Sequence, residues 1–371
     1  MHLFRSCLLL LLLAICYGTV AGEGFSRCFY LEPSYYRGSV FPQNNSIRYL
    51  VNEHLQAWQL NIGIPADGSK KWHQYLNYPL MGVGIHHSTL GNNEVFGRVT
   101  AIYGTTAIKT FHPDLPVNLE HHLTAGFGFL SKHYDLKKNP LNMAFGGPVV
   151  FALQYALLVP VRLGKSVEIF AGPCFSHFSA GKIIQPNLGI HMLQIRTGAR
   201  YTINQVNYSR RPEHIPLCAA ERHQLVLTVA AGIKQYSRFA SDKDLLFTIS
   251  PQYHFALSHV FGIGGGFDIY LDYSVRSFLQ EQFRKNARLD QLVHASVYSS
   301  FQLKIGDLAF LIQPGTYILK NIDDFHNRAI YKLGFRYQIS PRISAEALLK
   351  AYWLAKADFM GFGVGYSFLK K

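Results

Sequence analysis

The run Met360-Gly361-Phe362-Gly363-Val364-Gly365-Tyr366-Ser367-Phe368 decides the fold. In an extended chain, successive side chains point to opposite faces. Met360, Phe362, Val364, Tyr366 and Phe368 therefore share one face, and Gly361, Gly363, Gly365 and Ser367 the other. A sandwich strand in water turns large residues into a core and charged ones outward. Here the second face is small and uncharged, and the strand lies near the C-terminus. Rings toward lipid and small residues toward a lumen are the pattern of a strand that closes a transmembrane β-barrel.

The same alternation runs back through the chain. Trp58, Leu60, Ile62 and Ile64 alternate with Gln59, Asn61 and Gly63; Leu123, Ala125, Phe127 and Phe129 alternate with Thr124, Gly126 and Gly128. Phe151 to Val159 and Leu225 to Ile233 repeat it, whereas 3.6-residue periodicity is nearly absent. Further strands are expected over 78–86, 94–104, 167–179, 189–201, 245–255, 260–271, 291–302, 306–316, 329–338 and 343–353. Each is near the ~9–11 residues that a tilted membrane strand needs. The expected fold is all-β, an antiparallel transmembrane barrel of the bacterial outer membrane with about 14 strands (roughly 12–16).

Composition agrees. The 371 residues are 49% hydrophobic, 14% aromatic and only 16% charged, with 31 glycines. That excludes disorder, which needs high charge and few aromatics. No apolar run of ~20 residues follows the N-terminus, which argues against a helical membrane bundle. Arg5, the apolar Leu8–Ile15 and the small-residue site Thr19-Val20-Ala21 read as an export signal over 1–21. Residues 22–52 are then a lead-in or first strand, and 53–371 the barrel. Removing the signal leaves Cys28, Cys174 and Cys218, enough for one disulfide at most. The net charge of +14 comes from scattered Lys and Arg, so the expected partner is an anionic membrane rather than nucleic acid.

Short connections at 161–165, 256–259, 303–306 and 339–342 fall on one side when strands are counted back from a periplasmic C-terminus. Loops 131–148, 180–188 and 272–290 fall on the other, exterior side. The connection at 202–221 is long for the periplasmic side.

One hairpin, Val167 to Tyr201, stands out. Val167, Ile169, Ala171, Pro173 and Phe175 form an apolar face that continues into His177 and Ser179; on the return strand the apolar face begins with Gly189 and His191. His177, Ser179 and His191 are thus expected to project toward lipid at the outer rim. A His two residues from a Ser on one face offers a base to a hydroxyl nucleophile. The intervening Gln185-Pro186-Asn187-Leu188-Gly189 offers an amide and backbone N–H groups to an oxyanion. Glu168, Arg196 and Arg200 are expected in the lumen as an ionic network.

His177-Phe178-Ser179-Ala180-Gly181 with Pro186-Asn187-Leu188-Gly189 resembles the H-x-S-N-[AG] … P-N-x-G pattern of the outer-membrane lipid A 3-O-deacylases, a family related to proteins labelled acyloxyacyl hydrolases. The motif resemblance covers about 167–201. Glu32 to Gly38 and Trp72 to Gly84 extend it loosely, and most of the chain after 201 lies outside it. The resemblance implies a serine esterase acting on lipid A in lipopolysaccharide, with His177 as base, Ser179 as nucleophile and Asn187 as oxyanion contact. Two positions depart from the pattern. Ala180 replaces the family's Asn, and His191 falls where the family places its acid. Glu120 is the conceivable replacement acid. The competing reading is a barrel that has lost the reaction and serves a structural or transport role.

No cofactor or metal is expected. His86-His87 and His121-His122 are adjacent on strands and point to opposite faces, so neither pair chelates. Gly262 to Gly266 lies in a strand pattern with no helix after it, unlike a nucleotide loop.

Overall fold

The computed structural model describes residues 28–204, 217, 222–237, 243–322, 328–352 and 356–368. The expected export signal over 1–21 and Cys218 lie outside them. Among the described residues there are sixteen antiparallel strands, in two sheets that each close on eight.

The first barrel comprises β1 (Phe29–Val40), β2 (Leu55–Pro65), β3 (Leu80–Thr89), β4 (Arg98–Lys109), β5 (Glu120–Leu130), β6 (Val149–Arg162), β7 (Val167–Ser179) and β8 (Ile190–Ile203). It closes where β1 pairs with β8, with Tyr35 opposite Thr197. The second comprises β9 (His223–Lys234), β10 (Asp244–Ala256), β11 (Phe261–Asp272), β12 (Val293–Ile305), β13 (Leu308–Leu319), β14 (Ala329–Gln338), β15 (Ile343–Tyr352) and β16 (Lys356–Ser367). It closes through β16 against β9, with Val364 opposite Val229. All-β transmembrane architecture is as expected, but its division is not. The sixteen strands lie within the expected 12–16 but form two closed sheets rather than one barrel over 53–371, and residues 29–40 form a full strand, the second of the two alternatives for 22–52. Alternation is a property of each strand, identical in one large barrel and two small ones. The long connection at 202–221 is where the first sheet ends and the second begins.

Both barrels are inside out relative to a soluble protein. Trp58, Leu60 and Ile62 on β2, and Phe261, Ile263 and Phe267 on β11, are exposed. The interiors are charged. In the first barrel, Arg200 donates to Glu32 (2.7 Å), to Glu120 (2.6 Å) and to Glu168 (2.7 Å). Lys109 bonds Glu168 at 3.0 Å, and Arg196 pairs with Glu32 and donates to Ser34 at 3.2 Å. Three cations thus face three carboxylates, matching the expected network of Glu168, Arg196 and Arg200. In the second barrel, Lys234 bridges Asp272 (2.6 Å) and Asp358 (3.1 Å), Lys332 meets Asp268 at 2.7 Å, and Arg336 donates to Glu346 at 2.8 Å. Lys350 sits 3.8 Å from the centre of the Tyr270 ring. Buried charges persist only when paired.

In each barrel the connections alternate between the end that carries the chain termini and the opposite end. Residues 163–166, 257–260, 306–307 and 339–342 lie at the termini-bearing ends; 131–148, 180–189 and 273–292 lie at the opposite ends.

Candidate functional site

β7 and β8 of the first barrel are neighbours, joined through residues 180–189 at the end opposite the termini. On β7, Ile169, Ala171 and Pro173 are exposed while Phe170, Cys174, Ser176 and Phe178 are buried. His177 and Ser179 continue the exposed row. On β8, Leu193, Ile195 and Thr197 are exposed, and His191 continues theirs. All three side chains therefore rise from the barrel's outer face, although His177 is half-buried and Ser179 and His191 are buried.

His177 lies directly opposite His191, with the rings stacked at 4.4 Å between centroids and 28° between planes. Phe175 flanks His191 at 5.8 Å. Among the described residues, His177 Nδ1 and both ring nitrogens of His191 lack a hydrogen-bond partner. No hydrogen bond joins His177 to Ser179 here. What ties them together is Gly189. Its φ is +68°, and a Cβ built on it would lie 2.9 Å from the Phe178 carbonyl oxygen, 3.1 Å from His177 Cε1 and 3.2 Å from Ser179 Cβ. Only a residue without a side chain seats its backbone against both groups at that φ.

The loop Ser131–Pro148 fixes this glycine. The Leu188 N–H donates to the Met143 carbonyl (3.2 Å) and the Gly189 N–H to the Ala144 carbonyl (3.1 Å). Those two backbone donors, expected from the sequence to face an oxyanion, are already engaged. Asn187 Oδ1 accepts the N–H of Ala180, the residue after Ser179, at 2.7 Å. That bond orients the amide and leaves its Nδ2 outside it as a donor. The sequence carried a sign of the packing, since Gly189 ends the P-N-x-G run; nothing in it pointed to Met143 and Ala144.

Glu120 is no replacement acid. It lies inside the barrel, bonded to Arg200 and His122. No carboxylate pairs with His177 among the described residues, and the position across from it belongs to His191. Glu32, Glu120 and His122 come within 4.8 Å of one another, a spacing that suits a metal ion, but Arg196 and Arg200 already neutralise the carboxylates. The paired histidines split as their alternation requires. His86 and His122 are buried, while His87 bonds Thr100 and His121 bonds Tyr155 outside. Gly262 to Gly266 lies within β11.

Among curated proteins no sequence matches the chain. Solved structures similar to it include Neisserial surface protein A, with 13% identity and a TM-score of 0.31 over 48% of this chain and 99% of that one. The translocator domain of autotransporter NalP from Neisseria meningitidis shows 10% identity and a TM-score of 0.21 over 98% and 97%. Family models are more specific. Residues 56–200 match lipid A 3-O-deacylase, and residues 223–371 match the acyloxyacyl hydrolase C-terminal domain. The second match covers the region that the sequence motif left unexplained. The two matches follow the two closed sheets, and the chain belongs to the lipid A 3-O-deacylase and acyloxyacyl hydrolase family of outer-membrane β-barrel proteins.

Proposed function

We propose that the protein is a serine esterase, exported by its N-terminal signal, that removes an ester-linked acyl chain from lipid A at the outer rim of its first barrel. The observation that carries this reading is the pair His177 and Ser179, set on the lipid-facing side of β7 and packed together against Gly189. A soluble substrate gains nothing from that orientation, whereas an ester within the membrane presents itself to it. Ser179 Oγ attacks the ester carbonyl as His177 takes its proton. His177 Nδ1 is buried, which leaves Nε2 as the accepting nitrogen. The proton then goes to the departing sugar oxygen, and water releases the acyl group from Ser179 with the same base. Asn187 is assigned as the side-chain contact to the oxyanion.

His191 takes the place of the family's acid. A neutral imidazole stabilises the His177 imidazolium less than a carboxylate does, so turnover is slower than with an acid in that place. A transport role is disfavoured by ion pairs filling both lumens. Purified protein in detergent should release fatty acid from lipid A, and Ser179→Ala should stop it. Equal release by that variant refutes the nucleophile. No release by either, with no acyl chain lost from lipopolysaccharide, supports the inactive structural barrel instead.

A further inference from the structure

The loop that holds Gly189 also carries two exposed cations, Lys137 and Lys138. Asp135 Oδ1 accepts the backbone N–H groups of Lys137 (2.9 Å) and Lys138 (2.8 Å), and Asp135 and Asn139 bridge each other's backbones, so residues 135–139 form a closed turn. Asn139 Nδ2 ties that turn to the Val95 carbonyl at 2.9 Å, and Asn142 Nδ2 bonds the same oxygen at 2.9 Å. The turn is therefore built rather than loose. Lys137 and Lys138 are exposed, and their ammonium groups make no hydrogen bond or ion pair among the described residues, the Asp135 carboxylate being the acid that the charge of Lys138 reaches. Leu136 and Leu141 beside them are 70% and 57% exposed. Exposed leucines next to free lysines, at the barrel end where strands leave the lipid, suit the boundary between acyl chains and anionic headgroups.

We propose that Lys137 and Lys138 bind a phosphate on the headgroup of the glycolipid whose acyl chain is presented to Ser179. This rests on the esterase reading for the substrate and adds the group that positions it. The chain path supports it. Lys138 is five residues from Met143, whose carbonyl is bonded beside Gly189, so the two Cα atoms lie within about 18 Å even for a fully extended chain. One rigid loop thus reaches from the headgroup to the backbone that spaces His177 from Ser179.

The test uses full-length protein carrying Ser179→Ala, which removes turnover but keeps the loop. Its affinity is measured in detergent by native mass spectrometry for lipid A bearing its phosphates and for lipid A with the phosphates removed. Lys137→Gln with Lys138→Gln should weaken binding of the phosphorylated lipid by roughly 10-fold or more, at about 1 kcal/mol per cation near an anionic surface. Affinity for the dephosphorylated lipid should not change, and that arm also reports intact folding. Equal losses for both lipids, or no loss for either, overturn the proposal. The esterase reading is judged separately, by fatty-acid release from the Ser179 protein; binding without release would refute that reading and leave the headgroup site standing.

Discussion

Replacing Gly189 with Ala is the sharpest perturbation of the site, because it adds one methyl group between His177 and Ser179 and removes nothing. Two effects add. At φ +68° an L-residue pays about 1 kcal/mol relative to glycine. The new Cβ also stands 2.9 Å from the Phe178 carbonyl oxygen, a backbone atom of β7 that cannot swing aside like a side-chain end. Accommodating it means displacing the strand or the hairpin, at roughly 1–3 kcal/mol. Because the neighbours that must give way include His177 and Ser179, the cost appears mainly as misplacement of the reacting groups. A shift of order 1 Å there lowers turnover by up to ~100-fold. Gly164→Ala in the β6–β7 turn is the matched control: its φ is +88°, but nothing lies within 4 Å of the added Cβ. Gly164→Ala should show only a small loss in denaturant midpoint and Gly189→Ala a larger one, while fatty-acid release from lipid A falls at least 10-fold only in Gly189→Ala. Full turnover in Gly189→Ala, or an equal loss in Gly164→Ala, refutes the claim that Gly189 sets the spacing of the pair.

Restoring an acid across from His177 should raise activity. His191→Asp is expected to increase kcat by roughly 10-fold, whereas His191→Ala should not, as read by initial rates on lipid A; no gain from the aspartate would mean that His191 does not stand in the acid's place. In the lumen, Arg200→Met leaves Glu32, Glu120 and Glu168 facing one another without the guanidinium that joins them. The barrel should lose about 3–5 kcal/mol in urea unfolding, and an unchanged midpoint would show that the network adds no stability.

What the sequence made legible follows from what period-2 alternation encodes. It assigns each side chain to a face, so the lipid-facing direction of His177 and Ser179 and the lumenal place of Glu168, Arg196 and Arg200 could be read from one hairpin. It does not encode closure, which depends on hydrogen bonds between strands far apart in sequence, such as β1 with β8. The expected strand over 94–104 is β4, at 98–109, because Val95 and Phe96 are apolar residues of a loop. There Asn92 accepts the Glu94 and Val95 N–H groups and bonds the Leu50 carbonyl. Apolar character alone does not separate a packed loop from a strand end. The backbone N–H groups of Leu188 and Gly189 differ from expectation for a similar reason. A backbone N–H appears available in a sequence until its acceptor is known, and the acceptors of Leu188 and Gly189 lie more than forty residues upstream.

The two barrels differ in a way that bears on how the fold divides its work. Each balances the charges of its own lumen, the first with three carboxylates against Lys109, Arg196 and Arg200, the second with Asp268, Asp272, Asp358 and Glu346 against Lys234, Lys332, Lys350 and Arg336. A lumen closed by balanced charge is a rigid plug, because moving any one member strands its partner at a cost of several kcal/mol. Rigidity inside leaves the outer face able to carry polar groups among its apolar ones. In the first barrel, that is where His177, His191 and Ser179 stand, with His177 Nδ1 and both ring nitrogens of His191 unpartnered among the described residues. Unsatisfied polar groups on a lipid face cost stability unless a partner completes them, and a bound ester is the partner that the proposed reaction would supply.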